Sequence, residues 1–290
     1  MKKNQRNPKS DNRYEIVAGE GNIILRAGFL TRTITIDSTN LISTNLLING
    51  NNVMDKQSNE FAVSFYAASP NAKPVGIKEG DVKSSLDEVG TDNLTDVLKY
   101  KQEKGFVKQA TQWIHPKYIK SSEWSNHFDV VNHFISSPAS GVTRLTIRVR
   151  STKDILLQDV FINLFYEIYD GFPSIRKWVE IVNNGPRWLK VDSLTIDGIE
   201  LNKVLQATTD LTPTTGGAGS SLRSYATVYK TEGIIIGSEV PSALRTINRN
   251  GGTAYTPAYF EWVLGPTEKF ISEPVFIYGF SGAVQKTISG

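Results

Sequence analysis

The sequence predicts an all-β fold: a large antiparallel sandwich of two sheets, with one short helix in an insertion. Three observations indicate this fold. Short segments that alternate apolar and polar residues recur along most of the chain, turn residues separate them, and helical periodicity is almost absent. The chain has 290 residues, enough to bury a full core. We therefore predict a polar tail at residues 1–13 and a single sandwich domain at residues 14–290.

The first predicted strands cover residues 14–17 and 22–26, and a turn then leads into residues 29–36. In this third segment Ile34 and Ile36 share one face, and threonines occupy the other. Before the centre of the chain we predict further strands at residues 41–48, 60–66 and 144–150. The Asn-Gly run at residues 49–52 predicts a turn.

Residues 69–126 interrupt this rhythm, and we predict that they form an insertion. Lys, Asp, Ser and Gly are frequent there, and the best periodic segment is residues 92–104. Its apolar residues Leu94, Val97 and Leu98 fall on one helical stripe. We therefore predict one short helix at this position.

The strongest local signal in the chain is a β-hairpin at residues 160–183. β-Branched and aromatic residues alternate on both sides of a turn that contains Asp170 and Gly171, which is the pattern of a hairpin. One face of the first strand carries Val160, Ile162, Leu164, Tyr166 and Ile168, and the other carries Phe161, Phe165 and Tyr169. Because both faces are apolar, we expect the hairpin to be covered on both sides, in the middle of a sheet.

Five further strands are predicted after the hairpin. They cover residues 190–196, 224–229, 233–237, 258–263 and 274–280. A Thr-, Gly- and Ser-rich stretch at residues 208–221 separates the first two, and we predict a long surface loop there.

Composition excludes several classes of function. The net charge is +3 with dispersed Lys and Arg, which argues against nucleic acid as a partner. The chain has no Cys, so disulfides and thiol catalysis are excluded. No apolar run approaches the roughly 20 residues of a membrane helix, and residues 1–13 lack the apolar region of a secretory signal. We expect a soluble protein without membrane partners, cytoplasmic as written, or secreted or periplasmic if a signal was removed.

The candidate binding residues lie in or near the insertion and just after the hairpin: Trp113, His115, Glu123, Trp124 and Trp188. An indole ring can stack on the C–H face of a sugar, and a neighbouring carboxylate can accept hydrogen bonds from its hydroxyl groups. For each of these residues, packing or simple surface exposure is the alternative. We expect core packing for Trp178 and Trp262. The histidines lack metal-ligand spacing, and we predict neither a metal site nor a cofactor.

Residues 166–184, within and just after the hairpin, resemble the N-terminal domain of family 36 glycoside hydrolases, the α-galactosidase group. Three other stretches fit the same resemblance: residues 23–36, residues 60–66 and residues 264–276. The resemblance implies a β-supersandwich similar to galactose mutarotases, packed on a catalytic barrel that holds two carboxylates. In that family the nucleophile follows a Lys-Trp pair, whereas here Lys177 and Trp178 precede Val179. No catalytic residue is therefore carried over.

Three hypotheses follow. The first is a non-catalytic accessory domain that packs on a catalytic barrel, contributes to binding of a galactoside-like carbohydrate or supports homo-oligomerisation. The second is a mutarotase-like epimerase that pairs His115, His127 or His133 with a carboxylate. The third is a stand-alone carbohydrate-binding or structural module, whose affinity for sugar would fall on removal of Trp113 or Trp124.

Overall fold

The structure is a computed structural model. It describes residues 13–37, 40–68, 113–122, 128–151, 153–202, 207–210, 225–229, 232–239, 245–248, 250–255 and 260–281. Almost all regular structure in these residues is β-strand. The 3₁₀ turn Ile155–Leu157 begins after Asp154, whose carboxylate accepts a hydrogen bond from the backbone N–H of Leu156. The predicted all-β class is therefore confirmed.

The first half of the chain contributes ten strands: β1 (Tyr14–Ala18), β2 (Asn22–Ala27), β3 (Leu30–Ile36), β4 (Leu41–Ile48), β5 (Asn51–Asn52), β6 (Ser58–Asn59), β7 (Ala62–Ala68), β8 (Trp113–Lys120), β9 (Phe128–Ala139) and β10 (Val142–Ser151). The second half contributes eleven: β11 (Val160–Tyr169), β12 (Phe172–Asn183), β13 (Leu189–Asp197), β14 (Ala207–Asp210), β15 (Tyr225–Tyr229), β16 (Glu232–Ser238), β17 (Arg245–Ile247), β18 (Thr253–Tyr255), β19 (Trp262–Leu264), β20 (Lys269–Ile271) and β21 (Val275–Ser281).

These strands form three antiparallel sheets. The first sheet has the order β1-β2-β3-β4-β5, with β6 also paired to β4. The large sheet has nine strands in the order β14-β15-β16-β21-β12-β11-β10-β9, with β20 paired to β12. The third sheet has the order β17-β18-β13-β7-β8, with β19 paired to β13.

The first and third sheets both pack against the large sheet. Strand β2 lies against β11 and β12, and β13 lies against β12. One cluster of buried apolar residues collects side chains from all three sheets. The two predicted layers are thus present, and one of them is divided into two six-stranded sheets.

The central hairpin is the middle of the large sheet, as predicted. On the first predicted face of β11 all five residues are buried, with relative exposures of 0–1%. On the second face Phe161, Phe165 and Tyr169 are only partly buried. Its turn consists of Asp170 and Gly171, and Tyr169 pairs with Phe172 across it. Gly171 has a φ of +82°, a conformation that glycine adopts without steric cost.

Several elements differ from the sequence-based expectations. Asn51–Asn52 pair with the end of β4, so the predicted turn is reduced to Asn49 and Gly50, which both have positive φ. Strand β9 was not predicted. Strand β8 lies within the region predicted as an insertion and is hydrogen-bonded to β7. The predicted helix at residues 92–104 lies outside the described residues, as do residues 1–12 of the tail.

Two features are absent from the described residues. None of the helical segments among them has the length and apolarity needed to cross a membrane. In the same part of the chain, no group of three or more His, Cys, Asp or Glu side chains is arranged to hold a metal ion.

Candidate functional site

The outer face of the third sheet gathers exposed polar and aromatic side chains in regular rows. Val63 and Phe65 of β7, and Phe61 just before it, point into the core and are fully buried. Because side chains alternate along a strand, Ser64 and Tyr66 face outward, and both are partly exposed. This outward face has a polar cleft at one end and an aromatic group at the other.

The floor of the polar cleft is one row of residues across four strands. Lys120 of β8 and Thr195 of β13 both pair with Ala62, and Ala254 of β18 pairs with Thr195. The cleft has a volume of about 220 Å³. Its walls are formed by Asn59, Tyr118, Gly198, Ile199, Glu200, Asn248, Asn250, Gly252 and Thr253.

Tyr118 is the most accessible aromatic side chain at the cleft, with 57% of its surface exposed. The Lys120 Nζ atom lies 5.8 Å from the centre of the Tyr118 ring, within the range of a cation–π contact. Glu200 forms an ion pair with Lys56 at 3.0 Å. The cleft therefore combines an exposed aromatic ring with amide, hydroxyl, ammonium and carboxylate groups.

The aromatic group lies at the other end of the same face. The Nζ atom of Lys190 is 4.3 Å from the Tyr66 ring centre and 5.9 Å from the Trp113 ring centre. It also forms an ion pair with Glu261 at 3.0 Å. The ammonium group thus holds the two rings and the carboxylate in one cluster.

A β-bulge places Trp113 on the same face as Tyr118. The register between β7 and β8 shifts between Phe65 and Ala67, so Tyr118 pairs with Ser64 and Trp113 with Ala68. These partners are four residues apart on β7, which corresponds to roughly 13 Å at about 3.3 Å per residue. Tyr118, Tyr66 and Trp113 consequently form a row along the sheet, which we call the aromatic row.

The predicted binding residues lie in different parts of the structure. Trp113 belongs to the aromatic row, and His115 lies in β8 between Trp113 and Tyr118. Trp188 precedes β13, and its ring packs directly on the backbone of Gly265, where an added Cβ would be 3.0 Å from Trp188 Cη2. Glu123 and Trp124 lie outside the described residues, as does His127. Binding by these residues stays a prediction.

The remaining two tryptophans and the remaining histidine have separate surroundings. Trp178, for which we expected core packing, is only partly buried and stacks on Phe165 with ring centres 4.9 Å apart. Trp262, for which we expected core packing, is 47% exposed. His133 lies on β9 with an exposed side chain.

A second polar cluster is buried where the three sheets meet, and we call it the ionic network. It consists of Arg32 (β3), Ser43 (β4), Glu60 (between β6 and β7), Tyr166 (β11), Lys177 (β12) and Asp197 (β13). The guanidinium of Arg32 donates to Asp197 Oδ2 at 2.7 Å and to Glu60 Oε2 at 2.7 Å. Lys177 Nζ donates to Glu60 Oε2 at 2.7 Å and lies 3.4 Å from Asp197 Oδ1.

The neutral members complete the hydrogen bonding of this cluster. Arg32 Nε donates to Ser43 Oγ at 2.7 Å, and the Ser43 hydroxyl donates to Glu60. The Tyr166 hydroxyl also donates to Glu60. Two cations and two carboxylates balance each other, and none of the charged side chains is more than 4% exposed.

Burial and charge act in opposite directions on the pKa of Glu60. Burial alone would raise it, but the charges of Arg32 and Lys177, with hydrogen bonds from Lys177 and Ser43, lower the pKa to about 2. Burial and the negative charge of Glu60 raise the pKa of Tyr166 well above its ordinary value. Glu60 is therefore ionised and Tyr166 protonated at neutral pH, which matches the hydrogen bond between them.

The ionic network was not predicted, although a sequence signal for it exists. Arg32 lies in phase with the buried Leu30 and Ile34, and Lys177 lies in phase with the buried Ile175 and Val179. A charged residue at an inward position of an apolar strand requires a buried partner of opposite charge. The sequence shows that such partners are needed, but only the fold identifies them.

Comparisons with known proteins concern the fold. No protein-family model matches the sequence, and no curated protein matches it. Among solved structures, a family 36 α-galactosidase of Geobacillus stearothermophilus aligns with 90% of this chain at 13% identity and a TM-score of 0.46. The α-galactosidase of Lactobacillus brevis aligns with 92% of the chain at 8% identity and a TM-score of 0.46. This chain spans 41% and 40% of the length of those two proteins.

The galactose 1-epimerase of Lactobacillus acidophilus aligns with 90% of this chain and 95% of its own length, at 9% identity and a TM-score of 0.46. Both groups named from the resemblance of the central hairpin are thus represented among the matching structures. At such identities the alignments describe the path of the backbone and not the chemistry of a site.

Proposed function

We propose that this chain is a carbohydrate-binding accessory domain, similar in role to the N-terminal sandwich of an α-galactosidase-like glycoside hydrolase. Its ligand is a galactoside of one to three sugar units, and the carboxylates that break the glycosidic bond belong to a partner catalytic barrel. The observation that carries the proposal is the aromatic row, which runs along the outer face of the third sheet from the polar cleft to Trp113.

The cleft has the chemistry that a sugar ring needs. Tyr118 offers an exposed aromatic surface for stacking on sugar C–H groups. The side chains of Asn59, Asn248 and Asn250 line the same cleft, and each amide group can both donate and accept hydrogen bonds, as sugar hydroxyls do. At about 220 Å³ the cleft is smaller than the roughly 300–1,000 Å³ of typical small-molecule pockets. This size suits one sugar ring.

A longer sugar has a path beyond the cleft. Tyr66 and Trp113 continue the row on the same face, and Lys190 and Glu261 supply charged hydrogen-bonding groups beside them. A second and a third sugar unit would lie over these rings. The structure thus supports affinity that increases from a monosaccharide to a trisaccharide.

The position of the buried carboxylates supports a binding role more than a hydrolytic one. Glycoside hydrolysis uses two accessible carboxyl groups flanking the bond. Glu60 and Asp197 are instead engaged by Arg32 and Lys177 inside the core. Glu200 is the one carboxylate among the described residues that line the cleft, and it is paired with Lys56.

Isothermal titration calorimetry with galactose, melibiose and raffinose tests the proposal. We expect saturable binding that is tightest for raffinose, and no release of nitrophenol from a nitrophenyl α-galactoside. In Tyr118→Ala, loss of the stacking surface should weaken binding about tenfold, which corresponds to about 1.4 kcal/mol. Phe172→Ala is the matched control, because Phe172 is 63% exposed at the hairpin turn of the large sheet.

Three results would contradict the proposal. Heats that do not saturate with any of the three sugars would exclude the binding role. Binding that Tyr118→Ala and Phe172→Ala affect equally would exclude this face as the site. Turnover of the nitrophenyl galactoside by the purified chain would contradict the accessory role separately, because it would require catalytic groups within these residues.

A further inference from the structure

Strand β9 forms an exposed edge of the large sheet. In the described part of the chain it pairs with β10 on one side and occupies the end of the strand order. Of the nine large apolar side chains that are exposed in the described residues, three lie on this strand: Val131, Phe134 and Ile135. An apolar edge strand offers unpaired backbone groups to any other strand that can align with it.

β-Bulges, which commonly protect an edge strand from pairing with another strand, lie only near the two ends of β9 in its pairing with β10. Its register with β10 shifts once between Arg148 and Val149 and again between Val142 and Arg144. Such bulges bend a strand and hinder pairing. Between them the register is unbroken from Asn132 to Ser136, and residues 130–139 contain no Lys, Arg, Asp or Glu.

The regular segment is compatible with a second copy of itself. If two copies run antiparallel about a twofold axis at Phe134, then Phe134 faces Phe134 and His133 faces Ile135 of the partner subunit. The outermost pair is Asn132 with Ser136. No pair brings like charges together, and the central aromatic pair is a favourable cross-strand contact.

Neighbouring charges do not oppose this pairing. On β10, Arg144 donates to Glu167, and its guanidinium lies 5.2 Å from the Trp178 ring centre. Arg148 donates to Asn163 at 2.9 Å. Both arginines are therefore held toward β11 and β12, away from the free edge.

We propose that this chain forms a homodimer by antiparallel pairing of β9 with β9 of a second copy, centred on Phe134. The two large sheets then continue as one sheet across the interface. This proposal is independent of sugar binding, because the aromatic row lies on the third sheet, and the two proposals are read out by different measurements.

Sedimentation analysis of the full chain over a range of concentrations tests the dimer. We expect the mass to rise from that of one chain to that of two with increasing concentration. Phe134→Lys should raise the dissociation constant at least about tenfold, because it places two ammonium groups opposite each other. Phe172→Lys, at an exposed phenylalanine away from β9, should leave it unchanged. Circular dichroism verifies that both variants are folded.

Cross-linking gives the register directly, because the chain has no cysteine of its own. Under oxidation Phe134→Cys should form a covalent dimer, since paired residues on adjacent antiparallel strands bring their Cβ atoms within about 5.5 Å. Ile271→Cys, at a 50% exposed site on β20, is the control and should not. A monomer at all concentrations, a dimer that Phe134→Lys leaves intact, or equal cross-linking of both cysteine variants would overturn the proposal. Equal cross-linking or an intact dimer would place the contact elsewhere.

Discussion

The ionic network and the polar cleft both gather charged and polar side chains, but they differ in their access to water. Asp197 of the network and Thr195 of the cleft floor lie two residues apart on β13. The carboxylate of Asp197 is almost fully buried against Arg32, whereas Tyr118 at the cleft is 57% exposed. The same strand thus contributes to both regions.

This difference separates groups that hold the fold from groups that are free to meet a ligand. In the network each charge is satisfied by partners on other sheets, so its removal leaves another buried charge uncompensated. In the cleft the polar groups face solvent, so their removal changes little in the core. We therefore expect substitutions in the ionic network to lower the unfolding free energy, and substitutions in the cleft to lower the affinity for sugar.

The largest expected effect is the loss of stability on Arg32→Met. Without the guanidinium, the carboxylates of Glu60 and Asp197 are balanced by Lys177 alone. Breaking a buried ion pair from one side typically costs about 3–5 kcal/mol of unfolding free energy. Urea denaturation followed by circular dichroism measures this loss.

Arg26→Met is the matched control for that substitution. Arg26 of β2, in the same sheet, forms an ion pair with Glu15 at 2.6 Å, but both side chains are partly exposed. Such a pair contributes at most about 1 kcal/mol. If both variants lost equally little stability, burial would not distinguish the network from the surface.

The second largest expected effect is a pH dependence of the unfolding free energy that arises from Glu60. Its pKa falls from an ordinary value of 4.5 to about 2 in the folded chain, so the folded state favours the ionised form. The stabilisation is therefore complete above about pH 4.5 and is lost as the pH falls through about 2. The difference corresponds to about 3 kcal/mol.

Urea denaturation at a series of pH values from about 7 to about 2 checks this prediction. Wild type should lose stability steeply below about pH 4.5. Glu60→Gln, which cannot titrate, should be less stable at pH 7 but should show a shallower decline in that range. An equal slope in both proteins would place the acid sensitivity on other carboxylates.

The smallest effect concerns the far end of the aromatic row. In Trp113→Ala we expect affinity for raffinose to fall about threefold, because the third sugar unit loses an aromatic contact of about 0.5–1 kcal/mol. Affinity for galactose, which in our proposal fills only the cleft, should stay unchanged. Calorimetry with both sugars compares them. An equal loss for both sugars would mean that Trp113 acts on the cleft and not on a longer ligand.

Much of the fold could be predicted from the sequence, because most strands have one buried and one solvated face. That arrangement produces the alternation visible at β3, β7 and β11. Strand β9 lacks the signal, since as an edge strand it is exposed on both faces between Val131 and Ile135. Strand β8 was missed because Pro116 and a bulge interrupt its alternation.

The site was harder to predict, because it is assembled from distant parts of the chain. Trp113 could be proposed from its aromatic ring and polar neighbours. Asn59 and Asn248 are separated by most of the chain, and only the pairing of β7 with β13 and β13 with β18 brings them to one cleft. Trp113 could not be assigned to the same face as Tyr118 until the bulge in β8 was known.

The most direct test is to measure raffinose affinity and unfolding free energy on the same two variants, Arg32→Met and Tyr118→Ala. We predict that folded Arg32→Met binds raffinose as wild type does but unfolds at a lower urea concentration. The unfolding free energy of Tyr118→Ala should equal that of wild type within about 0.5 kcal/mol. This variant should bind raffinose about tenfold more weakly than wild type. The opposite pattern, with affinity lost in Arg32→Met and kept in Tyr118→Ala, would contradict the division between a stabilising core network and a binding surface.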